Sequence, residues 1–221
     1  MIYLFLILIS VAYITLIGDF AQISLLYMVS IIGIMFIKAR ETTVLHLCAG
    51  LLAFKSLELT ALFIVPTNAL SGSTLPYIWL NTNNYLIHLI FDICVLFFLF
   101  YRPPISRVYL RRFVFPKGKQ HTDQELTYSQ AEAWLIGVMF LYFFVDLAAL
   151  TENFIRNMDY LGVSDDIAQY FWNWNLVYHL YTPAKNVLNL LELLAIWLSV
   201  SPKGGKKIRR KNTKKAGYKP A

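Results

Sequence analysis

The sequence predicts an all-α integral membrane protein with six transmembrane helices and both termini in the cytoplasm. The composition is the first reason: 57% of the 221 residues are hydrophobic, 15% are charged, and the mean hydropathy is +0.53. These values lie outside the usual range of soluble domains. The second and third reasons are a series of long apolar stretches and the concentration of basic residues between alternate stretches.

Six apolar stretches are each close to the about 20 residues that a helix needs to cross a bilayer. They cover 1–17, 20–37, 42–65, 85–101, 130–151 and 173–200. The first could be mistaken for a secretory signal, but it has no basic start and no small-residue cleavage site, so we expect a retained helix. We therefore expect one transmembrane domain over 1–201, followed by a basic, disordered cytoplasmic tail over 202–221.

The basic residues predict the orientation of these helices. Of the 20 Lys and Arg, two follow the second stretch, six lie between the fourth and fifth stretches, and nine lie in the tail. The two are Lys38 and Arg40, and the six are Arg102, Arg107, Arg111, Arg112, Lys117 and Lys119. The positive-inside rule places these segments and both termini in the cytoplasm. We expect a multi-pass protein of the cytoplasmic (inner) cell membrane.

Local signals refine individual helices. The first two stretches contain few polar residues and are expected to be lipid-facing support. Ser129 and Glu132 have the spacing of a capping box that opens the fifth helix. Glu152, near the outer end of that helix, is expected to be solvated. Ser164 before Asp165 and Asp166 predicts that the last helix begins as an external interfacial segment.

The last apolar stretch carries a stripe of polar residues. Its members recur at spacings of four and three: Asn175, His179, Thr182, Asn186, Asn189 and Glu192. On a helix this spacing places all six on one face. Because lipid cannot hydrogen-bond to them, the whole stripe is expected to face protein or a water-filled space. Pro183 lies in the same stretch and predicts a kink.

Eight ionisable side chains lie within or near the predicted membrane segments. They are Lys55, Glu58, His88, Asp92, Asp146, His179, Lys185 and Glu192. A charge at the bilayer centre costs about 2.5–3.5 kcal/mol on insertion scales, so such residues usually pair or line a pathway. With both histidines neutral, four acids and two lysines give a formal charge of −2. That imbalance indicates protonated groups or a bound cation.

The spacing of these residues suggests individual roles. His88 and Asp92 are four apart on one helix face, an arrangement that suits proton transfer or a hydrogen bond that only fixes helix packing. Lys55 and Glu58 are three apart and can pair with each other. We therefore expect His88, Asp92 and His179 to form a proton or cation site. Asp146 and Glu58 would be its electrostatic neighbours, and Lys55 and Lys185 its counter-ions.

The sequence predicts no particular cofactor. His88 and His179 at matching depths leave axial ligation of a haem b open, and a metal ion is a further alternative. The chain contains no phosphate-binding glycine loop, nucleophile elbow or metalloprotease helix, which argues against an enzyme of the soluble type. We recognise no family in these motifs.

The expected partners begin with the bilayer itself. The basic tail and the segment 105–115 are expected to attract anionic lipids. Nucleic acid is not expected as a partner, because Tyr218 is the only aromatic residue among the charges of the tail. Two functions follow from the buried polar interior. One is proton- or cation-linked transport or channel activity. The other is a non-catalytic scaffold or assembly subunit that pairs with another membrane protein or a second copy.

Overall fold

The computed structural model of the protein describes residues 20–38, 41–67, 75–109 and 130–200. Within these ranges the chain forms helices α1 (Phe20–Ile37), α2 (Thr42–Ile64), α3 (Tyr77–Tyr109), α4 (Gln130–Arg156), the short α5 (Asp165–Ala168) and α6 (Leu176–Val200), with a 3₁₀ turn at Met158–Leu161. No β-strand occurs in the described ranges, so the predicted all-α class is confirmed. The predicted segment 1–17, the tail 202–221 and most of 105–115 lie outside the described residues.

Among the residues that the structure describes, three helices are long and apolar enough to cross a membrane, over Val44–Ile64, Tyr77–Ile105 and Glu132–Arg156. A shorter apolar stretch covers Ile23–Ile37 in α1. The last stretch is continuous as α6 but carries Lys185 and Glu192 in its interior. These features fit a membrane protein.

The bounds of α3 differ from the prediction of 85–101 at both ends. The helix begins at Tyr77, where the carbonyl of Pro76 accepts hydrogen bonds from the amides of Trp79 and Leu80 (3.0 and 3.3 Å). It then continues through Pro103 and Pro104 to Tyr109. At 1.5 Å per residue its 33 residues span about 50 Å, which is longer than the hydrocarbon core of a bilayer.

The connection between α4 and α6 also differs from the prediction. The helix that starts after Ser164 ends at Ala168, and a turn separates it from α6. The prediction of one helix that begins at the interface was therefore wrong. Glu152 is buried rather than solvated, because its two carboxylate oxygens accept hydrogen bonds from the amides of Val177 and Tyr178, each at 2.7 Å. These bonds cap the first turn of α6.

The long helices pack as a closed ring. In the order α1, α2, α3, α4 and α6, each helix contacts the next, and α6 returns to α1. Helix α1 is therefore part of the bundle wall rather than lipid-facing support, and its Ser24, Tyr27 and Ile31 side chains are buried. This ring creates an interior that residues from all five helices can reach.

Two apolar layers divide the interior. A large cluster lies toward the end of the bundle where α1 ends and α2 begins, and it includes Ile34, Leu47, Leu99, Leu135 and Ile196. A smaller cluster of Tyr85, Ala149 and Tyr181 lies toward the other end. Along α3, α4 and α6, the residues His88, Asp92, Asp146 and Lys185 fall between these clusters. Glu192 lies among residues of the large cluster, between Leu188 and Ala195.

Helices α2 and α3 approach each other closely at Gly50. A Cβ atom at this position would lie 2.0 Å from Cζ of Phe98, so the glycine makes room for the aromatic ring. The ring of Phe98 also contacts that of Phe54, with centroids 5.6 Å apart. The absence of a side chain at Gly50 therefore sets the distance between the two helices that carry Glu58 and His88.

Candidate functional site

The structure brings seven of the eight predicted ionisable residues into the interior of the ring. Six are buried: Glu58, His88, Asp92, Asp146, Lys185 and Glu192. The Lys55 side chain is 15% exposed. His179 is exposed and does not belong to this group. We call the seven interior residues the ionisable cluster.

Lys185 links α6 to two other helices. Its Nζ lies 2.8 and 2.9 Å from the two carboxylate oxygens of Asp146 and 3.3 Å from Oδ2 of Asp92. The hydroxyl of Tyr181 donates to Oδ1 of Asp146 at 2.9 Å. The ammonium group also lies 4.7 Å from the centre of the Tyr142 ring, a cation–π contact. Asp146 is therefore bound by two residues, Lys185 and Tyr181, whereas Asp92 has a longer contact with Lys185.

A second group of charges joins α2 to α3. Lys55 Nζ lies 2.7 Å from Oε2 of Glu58, as the spacing predicted. His88 Nδ1 lies 2.5 Å from Oε1 of the same carboxylate. His88 thus pairs across the helix boundary with Glu58. Asp92, four residues further along α3, contacts Lys185 on α6.

Two tyrosines form hydrogen bonds with the part of α6 that follows Lys185. Tyr27 on α1 donates a hydrogen bond to Oε1 of Glu192. Tyr142 on α4 donates to Oδ1 of Asn189 at 2.7 Å. These bonds satisfy polar groups that would otherwise be costly to bury. They also connect α1 and α4 to the same face of α6.

A small cavity lies between these groups. Its volume is about 30 Å³, which is enough to hold a water molecule. The polar residues of its wall are Tyr27, Lys55, Glu58, Asp92, Tyr142, Lys185, Asn189 and Glu192, and Leu51, Phe54, Phe91, Val95 and Met139 complete it. The cavity therefore has a polar wall that can hydrogen-bond a water molecule.

The polar stripe of α6 is divided. Asn186, Asn189 and Glu192 are buried, as predicted. Asn175, His179 and Thr182 are exposed, so only the half of the stripe from Asn186 onward packs inside the bundle. On the half of α6 that precedes Asn186, the buried side chains include Tyr181 and Lys185 instead of the stripe residues. Helix α6 continues through Pro183, which is exposed.

A separate ion pair joins the last part of α3 to the first turn of α4. Arg102 and Glu132 are both 1% exposed, and the guanidinium contacts the carboxylate. Arg102 therefore lies within a helix rather than in a cytoplasmic loop, and Glu132 contacts a neighbouring helix. The capping box itself includes Ser129, which lies outside the described residues.

Sequence reasoning missed the tyrosines of the site. Tyr142 precedes Asp146 by four residues and Tyr181 precedes Lys185 by four, so each shares a helix face with a charged residue. Tyr27 follows Ser24 by three residues on the face of α1 that is buried. A search for phenols at these spacings from charged residues would have found Tyr142 and Tyr181, but not Tyr27, because the helix Phe20–Ile37 contains no charged residue.

The chain was also compared with known proteins. No protein-family model, curated protein or solved structure matches it.

Proposed function

We propose that the chain is a six-helix protein of the cytoplasmic membrane that moves protons or another small cation through the ionisable cluster. The observation that carries the proposal is the cavity of about 30 Å³ whose wall includes Asp92, Glu192 and Lys185 near the middle of the bundle. Ionisable residues at membrane depth usually line pathways for ions or protons.

The charge balance of the cluster supports ion handling. Four acids face two lysines, so the formal charge is −2 when His88 is neutral. A buried excess of negative charge is costly unless protons or a cation compensate it. The cluster therefore favours the uptake of positive charge.

The packing supports alternating helix directions. The side chain of Asn153, near the end of α4, donates to the carbonyl of Ile78 (3.1 Å) and the hydroxyl of Thr82 (2.9 Å), near the start of α3. The Arg102–Glu132 pair joins the opposite ends of the same helices. With the predicted segment 1–17 added before α1, this gives six crossings. The basic connections then place both termini in the cytoplasm.

The proposed roles follow from the contacts. Asp92 and Glu192 line the cavity and exchange the ion. Lys185 and Asp146 compensate their charge, and the Lys55–Glu58–His88 group does so from the side of α2 and α3. His179 has no part in this site, because it is exposed on the outer half of α6.

The test is ion flux into vesicles that contain the purified protein. Replacement of Asp92 by Asn should reduce flux to the level of protein-free vesicles without preventing membrane insertion. Asp165→Asn is the matched control, since Asp165 is an exposed acid outside the cluster. Equal flux in the wild type and the Asp92→Asn variant would contradict the assignment.

A second function, assembly with another membrane protein, has its own supporting observation. His179 and Thr182 are exposed on α6, and polar side chains that face lipid are unfavourable unless another helix satisfies them. Gentle detergent extraction tests this alternative. Loss of a stable complex in a His179→Leu/Thr182→Leu variant would favour assembly, and a wild-type monomer would count against it.

A further inference from the structure

The carboxyl groups of Asp92 and Asp146 are both buried, and both contact the ammonium group of Lys185. Neighbouring ionised carboxylates repel each other. Burying two of them together therefore requires compensation, which a proton on one of the two supplies. The geometry contains a place for one such proton.

Lys185 does not remove this requirement. Its ammonium lies within 2.9 Å of both oxygens of Asp146 but 3.3 Å from the nearer oxygen of Asp92. One positive charge is thus shared between two acids. A single added proton makes this group of three neutral. Asp92, which has the longer contact with Lys185, is the acid of the pair that lines the cavity.

The other groups around Asp92 are already engaged. The titratable residues that line the cavity with Asp92 include Lys55 and Glu58 from α2, Tyr142 from α4, and Lys185 and Glu192 from α6. Asp146 on α4 shares the ammonium group of Lys185 with Asp92. Both oxygens of Glu58 are held, one by Lys55 and one by His88. Tyr27 reaches the cavity from α1 and is bonded to Glu192. The two lysine ammonium groups in the wall would repel a second cation, whereas a proton on a carboxyl group needs no shell of ligands.

From this geometry we infer that the ion bound by the cluster is a proton, carried by the carboxyl pair of Asp92 and Asp146 with Lys185 as their counter-ion. The inference rests on the proposed function and specifies its ion. It also assigns the binding group, which is a carboxyl pair rather than His88.

The exchange step balances without any further reactant. On release, the O–H bond of the shared carboxyl group breaks and its electron pair stays on the carboxylate oxygen. The proton passes to a water molecule in the cavity or to the carboxylate of Glu192 across it. The new carboxylate is then paired with the ammonium of Lys185. Uptake is the reverse of these events.

Infrared difference spectroscopy tests the inference independently of transport. The wild-type protein in lipid vesicles is titrated with base, and the carbonyl stretching band of protonated carboxylic acids is followed in H₂O and D₂O. We expect one such band that shifts in D₂O and disappears as the pH rises. Asp92→Asn should remove it, whereas Asp165→Asn should retain it. Asp92→Glu should retain a band at a shifted frequency, which controls for folding.

Each other outcome has a definite meaning. A wild-type protein without a protonated carboxyl band at any pH would overturn the inference. A band that persists unchanged in both Asp92→Asn and Asp146→Asn would also overturn it, as would loss of the band when NaCl is added at constant pH. If the band behaves as expected but vesicles show no proton flux, the proton site stands and the transport proposal fails.

Discussion

Lys185 is the residue on which the interior depends most, because it is the positive charge between Asp92 and Asp146. Replacing one member of a buried ion pair leaves the other charges without compensation, at a cost of about 3–5 kcal/mol. Lys185→Met should therefore lower the free energy of unfolding by this amount, as measured by thermal or denaturant unfolding in detergent. Adding Asp146→Asn should restore part of the loss.

Lys38 provides a matched control for Lys185. Its Nζ is 2.6 Å from Glu41, but the two side chains are 26% and 50% exposed. Exposed pairs of this kind contribute roughly 0–1 kcal/mol, so Lys38→Met should have little effect. Equal destabilisation by both lysine variants would contradict the central position of Lys185.

Gly50 has a testable role of a different kind. In Gly50→Ala the new methyl group meets the ring of Phe98, and overpacking of this kind typically costs about 1–3 kcal/mol. We expect a lower melting temperature, with recovery when Phe98→Ala is added. Gly137→Ala is the control, since nothing lies within 4 Å of the added Cβ. Loss of stability without recovery in the double variant would argue against the contact.

At the scale of elements, α6 depends on α4 for its start. Glu152 accepts from the amides of Val177 and Tyr178, and loss of a helix cap costs about 0.5–2 kcal/mol. Glu152→Ala should destabilise the protein by this amount or more and should increase amide hydrogen exchange in the first turn of α6. Asp166→Ala, which removes an exposed acid from α5, should leave exchange there unchanged. Exchange that is equal in the wild type and Glu152→Ala would contradict the capping role.

The accuracy of each predicted helix boundary depends on how clearly the residues around it mark a helix end. The bounds of α1 and α2 were correct within one residue, because continuous apolar stretches mark them. The bounds of α3 were wrong, because Asn81, Asn83 and Asn84 resemble a loop and two prolines resemble a helix end. In the structure the helix begins at Tyr77, before the asparagines, and it continues through buried Arg102 and Pro103 to Tyr109.

The residues of the site could also be predicted only where a physical reason marks them in the sequence. Charged residues in apolar stretches are costly, and this reason identified the seven members of the ionisable cluster. Helical spacing also placed the stripe on one face, but spacing cannot indicate which half of a face another helix covers. Pairings such as His88 with Glu58 depend on how neighbouring helices align. A single sequence contains little information about that alignment.

At the scale of the whole molecule, the proposed topology makes a prediction about access from the two sides of the membrane. The native Cys48 and Cys94 are free and are removed first. A single cysteine introduced at position 72 should then react with a membrane-impermeant reagent from outside, whereas one at either terminus should react only after the membrane is opened. External labelling of a terminus would contradict the orientation.

The central claim is that the polar interior of this bundle carries protons, and proton flux in reconstituted vesicles tests it most directly. A pH gradient is imposed across vesicles that differ only in whether they contain the protein, and its decay is followed with a pH-sensitive dye inside. The account predicts faster decay with the wild-type protein, and decay at the protein-free rate when Asp92 is replaced by Asn. Decay at the protein-free rate with the correctly inserted wild-type protein would contradict it.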